Sequence, residues 1–141
     1  MQLTRGADYA LRGLLYLARQ PKGKLVMASE IAAAERIPEY FFSKLFQNLA
    51  KGGVVNSFRG SNGGFVLARS AKEITVLEVI EAIDGPVALN KCADSPEVCE
   101  KSGSCPFHEY WKEAQKALVS TLGKYTLADA VAHVDAIAPK H

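Results

Sequence analysis

The chain has 141 residues, of which 48% are hydrophobic and 23% charged, and its net charge is only +2. This length and apolar content suit one compact domain with an appendage, and they exclude a disordered, collagen-like or mucin-like chain. Charged residues interrupt the apolar stretch near the N-terminus, which excludes a secretory signal or a membrane span there and predicts a cytoplasmic protein.

The charges are divided unevenly along the chain. Residues 1–72 contain eleven Lys and Arg against four Asp and Glu, whereas residues 73–141 contain six against eleven. A basic half beside an acidic half indicates that the basic half meets a polyanion such as nucleic acid.

The N-terminal half contains three predicted helices. Apolar residues recur at helical spacing from Ala7 to Ala18, and Pro21 ends this first helix. A short helix is predicted in EIAAAER after Ser29, and a longer one in YFFSKLFQNLAK with Pro38 in its first turn. Only three or four residues separate the last two, so they form a candidate helix-turn-helix.

A β-hairpin is predicted directly after the third helix. Two short runs of β-forming residues, 54–58 and 65–68, flank a Gly-rich loop that contains Asn62-Gly63, a strong hairpin signal. A hairpin in this position is the wing of a winged helix-turn-helix.

The C-terminal half begins with another predicted helix. Thr75 and Glu78 have the spacing of a capping box, and Gly85 ends the helix that they open. A polar segment with the cysteines follows. Pro106 then opens a long helix with a wide apolar and aromatic stripe, and a short helix begins near Thr126.

The second helix of the helix-turn-helix has two different faces. Its apolar residues run from Phe42 to Leu49 at intervals of three and four and face the core, whereas polar residues repeat on another side. Ser, Lys and Gln side chains offer donors to base edges in a major groove, and Lys51, Arg59 and Arg69 offer charge to phosphates. An Arg on a Gly-rich wing tip suits the minor groove. The alternative is an ordinary amphipathic helix and a plain turn, both facing solvent. The candidate DNA-binding residues are Tyr40, Ser43, Lys44, Gln47, Lys51, Arg59 and Gly60.

All three cysteines lie within fourteen residues, at Cys92, Cys99 and Cys105. In a reducing cytosol, clustered cysteines bind metal or do redox chemistry more often than they form disulfides, and three cannot pair completely. Three thiolates from one polar loop suit an iron–sulfur cluster, which usually takes four soft ligands; zinc and metal-free redox thiols are the alternatives. His108, just after the last cysteine, and Asp8, on the first helix, are the candidate fourth ligands. Each can also be read as a surface residue.

These segments together resemble the winged-helix transcription regulators that include the iron–sulfur cluster regulator of bacteria and the nitric-oxide-sensing repressor. The resemblance runs nearly end to end. It rests on LTRGADYALRGLLYLA, on IPEYFFSKLFQNLAKGGVVNSFRGSNGGFVLAR, on ITVLEVIEAIDG, and on the three cysteines before a long helix. The wing phrase RGSNGGF is specific, because family members usually show Arg-Gly, a short spacer, then Gly-Gly and an aromatic residue.

The resemblance implies roles for particular residues. Tyr40, Ser43 and Lys44 match the base-contacting positions of the family, Arg59 matches its wing contact, and the three cysteines match its cluster ligands. The resemblance also implies that the long helix crosses its counterpart in a homodimer and places two reading heads on a palindromic site.

Two departures from the family pattern limit this transfer. Six residues separate the first two cysteines where five are usual, and the residue types at the base-contacting positions differ from those of the best-known members. Members that resemble the cluster regulator use a histidine three residues after the last cysteine, which matches His108 and implies a 2Fe–2S centre. Members that resemble the nitric-oxide sensor use an aspartate on helix one of the partner subunit, which matches Asp8 and implies a 4Fe–4S centre. This sequence has both residues.

The sequence therefore predicts a homodimeric DNA-binding transcription regulator, expected to repress, that carries an iron–sulfur cluster as its sensor. Its fold is expected to be mainly α with a small β-hairpin. The expected division is a winged helix-turn-helix domain at 1–85, a cysteine-bearing cluster loop at 86–105, and a dimerisation helix with a short C-terminal helix at 106–141. The alternative is the same regulator without a cluster, controlled by a protein partner, zinc or thiol redox. An enzyme is not expected, because the sequence has no P-loop, nucleophile elbow or paired acid–base residues.

Overall fold

The computed structural model describes residues 2–89 and 105–137. Within them the chain is mainly helical with one two-stranded antiparallel sheet, as the sequence predicts. None of the helices in these two ranges combines the length and the apolar content that crossing a bilayer requires. The elements are α1 (Arg5–Ala18), α2 (Ala28–Glu35), α3 (Glu39–Lys51), β1 (Val55–Phe58), β2 (Gly64–Leu67), α4 (Val76–Asp84), α5 (Pro106–Lys124) and α6 (Leu127–Ile137).

Helix α1 is at the centre of the molecule, in contact with α2, α3, α4 and α6. It begins where Thr4 caps it, because Thr4 Oγ1 accepts a hydrogen bond of 3.0 Å from the backbone N–H of Ala7. Leu14 on its inner face is fully buried in the same core cluster as Phe42 and Phe46. Burying each such side chain contributes about 1.5–3 kcal/mol, so this cluster is what holds α3 on α1.

Three residues connect α2 to α3, within the predicted length. Arg36 ends α2 in the left-handed conformation, with φ 55° and ψ 47°. Ile37 is buried and Pro38 precedes the first turn of α3. The Ile37 backbone N–H donates to the carbonyl of Ala32 at 2.9 Å, which satisfies an acceptor at the end of α2. These contacts fix the angle between the two helices.

The predicted hairpin is present, and its register pairs Phe58 with Gly64. The loop between the strands is five residues long, 59–63, and the Gly63 N–H donates to the Gly60 carbonyl at 2.9 Å. The Asn-Gly pair therefore lies at the end of the turn rather than at its centre.

A third backbone segment pairs with the outer edge of β2. The Phe65 N–H donates to the Val26 carbonyl at 2.8 Å, and the Val26 N–H donates to the Phe65 carbonyl at 3.1 Å. Gly64 permits this approach, since a Cβ at that position would lie 2.5 Å from the Val26 carbonyl oxygen. The wing is thereby tied to the segment between α1 and α2.

The C-terminal part of the chain returns to the N-terminal part. Thr75 caps α4 as predicted, its Oγ1 accepting from the Glu78 N–H at 3.1 Å. Beyond α5, the Leu127 N–H donates to the carbonyl of Ile74 at 2.9 Å, and the Leu127 side chain lies in the main core. Helix α6 then packs against α1, so the two parts share one core.

Candidate DNA-binding face and cluster site

The polar face of α3 is open to solvent. Tyr40 is 75% exposed, and Lys44 Nζ lies 4.9 Å from the centroid of its ring. Hydrogen bonding to the Lys44 ammonium, and then the charge of that ammonium, lowers the pKa of Tyr40 below its usual value. Along the same side, Gln47 and Lys51 are exposed and Ser43 is half-buried. The structure therefore brings these five predicted residues to one surface.

The apolar side of α3 sets the direction of this surface. Phe42, Phe46 and Leu49 are fully buried, as the spacing predicts. The rings of Phe42 and Phe46 lie 4.3 Å apart, and Phe46 meets Phe65 of β2 edge-on at 5.0 Å. These ring contacts hold the reading helix against the base of the wing.

Sequence reasoning did not identify Arg12, which supports the helix-turn-helix from α1. Its guanidinium donates to the carbonyl of Glu35, lies 5.4 Å from the ring of Tyr9, and is 3.7 Å from the carboxylate of Asp8. The Tyr9 ring in turn meets Phe41 edge-on at 5.8 Å. The only sequence signal was the spacing of Asp8 and Arg12, one helical turn apart.

The wing tip presents Arg59 and Gly60, both exposed. Gly60 has φ 108°, a conformation that favours glycine and that turns the chain at the tip. Within the part of the chain that the structure describes, Arg59 makes no ion pair. Its guanidinium is therefore open to a partner from outside the described residues.

Arg69 is arranged differently from the phosphate contact that the sequence suggested. Its guanidinium pairs with the Glu78 carboxylate and lies within 3.5 Å of the carbonyl oxygens of Gly53 and Glu73. These contacts use one donor on each guanidinium nitrogen, so Arg69 joins the segment after β2 to α4.

Two of the predicted cluster ligands lie together at the start of α5. Cys105 precedes the helix, is half-buried and forms no disulfide with another described residue, and the backbone N–H of His108 donates to the Cys105 carbonyl at 3.2 Å. His108 is only 6% exposed, and its Nδ1 has no hydrogen-bond partner among the described residues. A buried ring nitrogen without a partner is costly, which makes it a donor atom available to a metal.

The structure does not describe all of the remaining predicted ligands. Cys92 and Cys99 lie outside the described residues. Asp8 is exposed on α1 and lies beside Arg12. Among residues 2–89 and 105–137, no three His, Cys, Asp or Glu side chains come together as a metal site.

Comparisons with known proteins give one family and a set of similar structures. The model of the Rrf2 family, described as iron-dependent transcriptional regulator, matches residues 3–133. The structure of CymR (YrzC), the global cysteine regulator of B. subtilis, is 23% identical with a TM-score of 0.77, over 94% of this chain and 98% of that one. IscR of T. potens is 22% identical with a TM-score of 0.77, over 100% and 94%. The oxidised form of CymR from Staphylococcus aureus is 20% identical with a TM-score of 0.73, over 93% and 96%. These structures share the fold of this chain.

Proposed function

The chain belongs to the Rrf2 family of DNA-binding transcription regulators, and from that premise we propose that it senses iron–sulfur status, redox state or nitric oxide through a bound cluster. Members of this family are transcription regulators and not enzymes, in agreement with the sequence. Cys92, Cys99 and Cys105 supply three thiolates and His108 the fourth ligand. The protein acts in the cytoplasm as a homodimer on a palindromic operator, with repression as the expected mode.

The observation that carries this proposal is the His108 side chain. Within residues 2–89 and 105–137 its buried Nδ1 lacks a hydrogen-bond partner, and His108 follows Cys105 by three residues in the first turn of α5. A thiolate and an imidazole nitrogen in this setting fit a soft iron site.

The N-terminal end of α5 is also well placed to influence the reading head. When bound, an iron–sulfur cluster supplies a redox-active iron centre whose potential depends on net charge, hydrogen bonds and exposure. Cys105 and His108 hold their ligand atoms at the start of α5, and α5 packs along α4, which contacts both α1 and α3. A change in how these two side chains are held therefore shifts α5 against the helices that carry the DNA-binding face.

We assign a separate role to each of three segments of the chain. Residues 1–85 read DNA, residues 86–105 supply the cysteine ligands, and residues 106–141 join two copies. The exposed aromatic residues of α5 support the last assignment, since Phe107, Tyr110 and Trp111 are 55%, 57% and 38% exposed. The implied DNA contacts are Tyr40, Ser43, Lys44, Gln47, Lys51, Arg59 and Gly60.

The experiment is anaerobic purification of the full chain, with absorption spectra and assays for iron and sulfide. Coloured protein with iron and sulfide is expected, and both should fall in Cys99→Ser and in His108→Ala. His133→Ala is the matched control, because His133 is an exposed histidine of α6. His108→Cys, which keeps a ligand atom, should recover the iron content if His108 acts as a ligand and not as a packing residue.

Three outcomes would contradict parts of the proposal. Colourless anaerobic protein without iron and sulfide would show that the chain binds no iron–sulfur cluster. Loss of iron in Asp8→Ala but not in His108→Ala would keep the cluster and move the fourth ligand to Asp8, with the 4Fe–4S centre that the resemblance associates with it. Zinc without sulfide would select a zinc-stabilised regulator.

A regulator controlled by thiol redox alone is the second candidate. The similar structures include CymR, named as a global cysteine regulator, and CymR of Staphylococcus aureus in an oxidised form. Cys105 forms no disulfide within the described part of the chain, and a cysteine thiol can undergo reversible oxidation. Metal-free protein whose DNA affinity changes on oxidation, and no longer does so in Cys105→Ser, would favour this function over the cluster.

A further inference from the structure

A concave cavity of about 750 Å³ lies beside the wing, away from the reading face of α3 and from Cys105 and His108. We refer to it as the wing-base cavity. Its volume falls in the range of small-molecule sites in proteins. It is enclosed by the end of α1, the turn that follows, the outer face of the hairpin and the segment after β2. Its lining residues are 17, 18, 20–25, 58 and 66–71.

The walls of the wing-base cavity are mostly apolar. In the hairpin register Phe58 pairs with Gly64 and Asn56 with Val66, so the Phe58 and Val66 side chains emerge on the same outer face. Leu17 from α1, which also belongs to the main core, contributes to the lining. Phe58 is 55% exposed, a large apolar area left in contact with water.

The rim of the wing-base cavity is basic. A four-residue turn from Pro21 to Lys24 places Lys22 and Lys24 there. The Lys24 N–H donates to the Pro21 carbonyl at 3.0 Å, and Gly23, the third residue of the turn, has the positive φ of 81° that a type II turn requires. Neither lysine makes an ion pair with any residue that the structure describes, and no Asp or Glu lines the cavity. The third basic lining residue, Arg69, is already paired with Glu78.

We propose that the wing-base cavity binds a small free organic anion, with its apolar body between the hairpin and α1 and its acidic group at Lys22 and Lys24. Apolar walls favour burial of a hydrocarbon or aromatic body, and two unpaired ammonium groups favour a carboxylate or sulfonate. DNA phosphates also attract lysines, but a phosphate contact gives no role to the apolar walls. The inference goes beyond the proposed function and does not depend on a cluster. Because the hairpin forms one wall of the cavity, an occupant contacts the element that precedes and follows the Arg59 tip.

The test uses two dyes that differ only in a sulfonate, 1-anilinonaphthalene-8-sulfonate and neutral N-phenyl-1-naphthylamine, titrated into the full chain by fluorescence. The sulfonate dye should bind about tenfold more tightly, as expected for one charge-assisted contact. The Lys22→Gln/Lys24→Gln variant should abolish that difference, and Phe58→Ser should weaken both dyes. Lys116→Gln/Lys124→Gln is the charge-matched control. Tyr125→Ser is the control for loss of an aromatic residue, since Tyr125 is 48% exposed.

Each contrary outcome is distinct. Equal affinity of the two dyes would show that the cavity does not select an anionic group. Equal loss of binding in the control variants would show that the dyes adsorb generally to apolar surface. If the Lys22→Gln/Lys24→Gln variant binds both dyes normally but binds DNA more weakly, the two lysines belong to the DNA interface and the proposal is wrong. Near-ultraviolet circular dichroism of every variant separates loss of a site from loss of tertiary packing, because partly folded protein also binds such dyes.

Discussion

Arg36 illustrates how one residue sets the geometry of the helix-turn-helix. Its φ of 55° lies in the left-handed region, where the Cβ of an L-residue crowds the following carbonyl oxygen. Arg19 also follows the last turn of a helix, but with an ordinary right-handed φ of −86°. The same residue type therefore occupies the same capping position in two different backbone conformations.

This pair predicts opposite effects of glycine on stability. Arg36→Gly should raise the free energy of unfolding by about 1 kcal/mol, because relief of left-handed strain exceeds the entropy that glycine adds to the unfolded chain. Arg19→Gly should lower it by about 0.5–1 kcal/mol, since only the entropy term remains. The Arg19 contact with Asp135, at 3.9 Å and exposed to solvent, adds little. Urea unfolding of both variants measures the changes, and two changes of the same sign would contradict the strain argument.

Tyr40 and Lys44 predict a change in titration on the reading face. Hydrogen bonding to the Lys44 ammonium lowers the pKa of Tyr40, so the interaction with tyrosinate is complete above the unfolded pKa near 10 and is lost as pH falls through the lowered folded pKa. At neutral pH the hydroxyl is protonated and serves as a donor or an acceptor. Lys44→Gln should raise the pKa of Tyr40 towards its usual value. Ultraviolet difference absorbance against Tyr40→Phe measures it, and an unchanged titration would contradict the pairing.

Residue-level prediction from sequence worked where the signal was local. The burial of Phe42 and its neighbours follows from their spacing, and the Thr75 cap follows from a four-residue pattern. The conformation of Arg36 did not follow, because glycine is the usual residue at such a position. Nor did the burial of the His108 ring, whose Nδ1 has no partner among the described residues, because that burial depends on tertiary packing against α5.

At the scale of elements, the helices and the hairpin were predictable and their ends were less so. Helix α2 begins at Ala28, one residue before Ser29, and its capping position is held by Met27 without a side-chain hydrogen bond. The pairing of Val26 with β2 joins segments far apart in sequence, so no local sequence pattern predicts it. The wing is therefore better anchored than its Gly-rich sequence suggests.

That anchoring leads to a prediction for Arg59. Because the hairpin backbone is tied to Val26, the wing presents Arg59 from an anchored strand, and Arg59→Ala should weaken operator binding by about 1–3 kcal/mol and reduce the salt dependence by about one unit of slope per contact. Lys116→Ala, which removes an exposed charge from α5, is the control. Fluorescence anisotropy with an operator selected from random duplexes, at several salt concentrations, provides both numbers. An Arg59→Ala variant with the wild-type affinity and slope would exclude the wing from DNA contact.

On the scale of the whole molecule, the sequence predicted a reading head followed by a long helix, but not how the two are joined. Helix α6 returns to α1, and Leu127 enters the main core, so the end of the chain stabilises the beginning. Apolar spacing in α6 predicts that it packs, but the choice of α1 as its partner is a property of the tertiary fold. The candidate cluster site was predictable only as a set of residue types, because ligand geometry depends on the same long-range packing.

The long helix itself gives the last prediction, which concerns assembly. Helix α5 has 19 residues, and the ring of Phe107 lies 6.2 Å from that of Trp111 and 5.8 Å from that of Tyr110 on a side left exposed. Such an aromatic surface suits a second copy of the same helix, related by two-fold symmetry. Trp111→Glu should therefore weaken the proposed homodimer by about tenfold or more, since it places an unpaired charge in an apolar contact.

A matched control is available on the same helix. Ser120 follows Trp111 by nine residues, which places it on the opposite side, and Ser120→Glu adds the same charge. Sedimentation velocity should show monomer for Trp111→Glu and dimer for Ser120→Glu at equal concentration. Trp111 is the only tryptophan of the chain, so the fluorescence of the unaltered protein should shift to longer wavelength on dilution as the ring meets water. Since two joined heads bind a palindrome more tightly than one, the monomeric variant should keep half-site recognition but lose most of its operator affinity. A Trp111→Glu variant that stays dimeric would place the contact between copies elsewhere on the molecule.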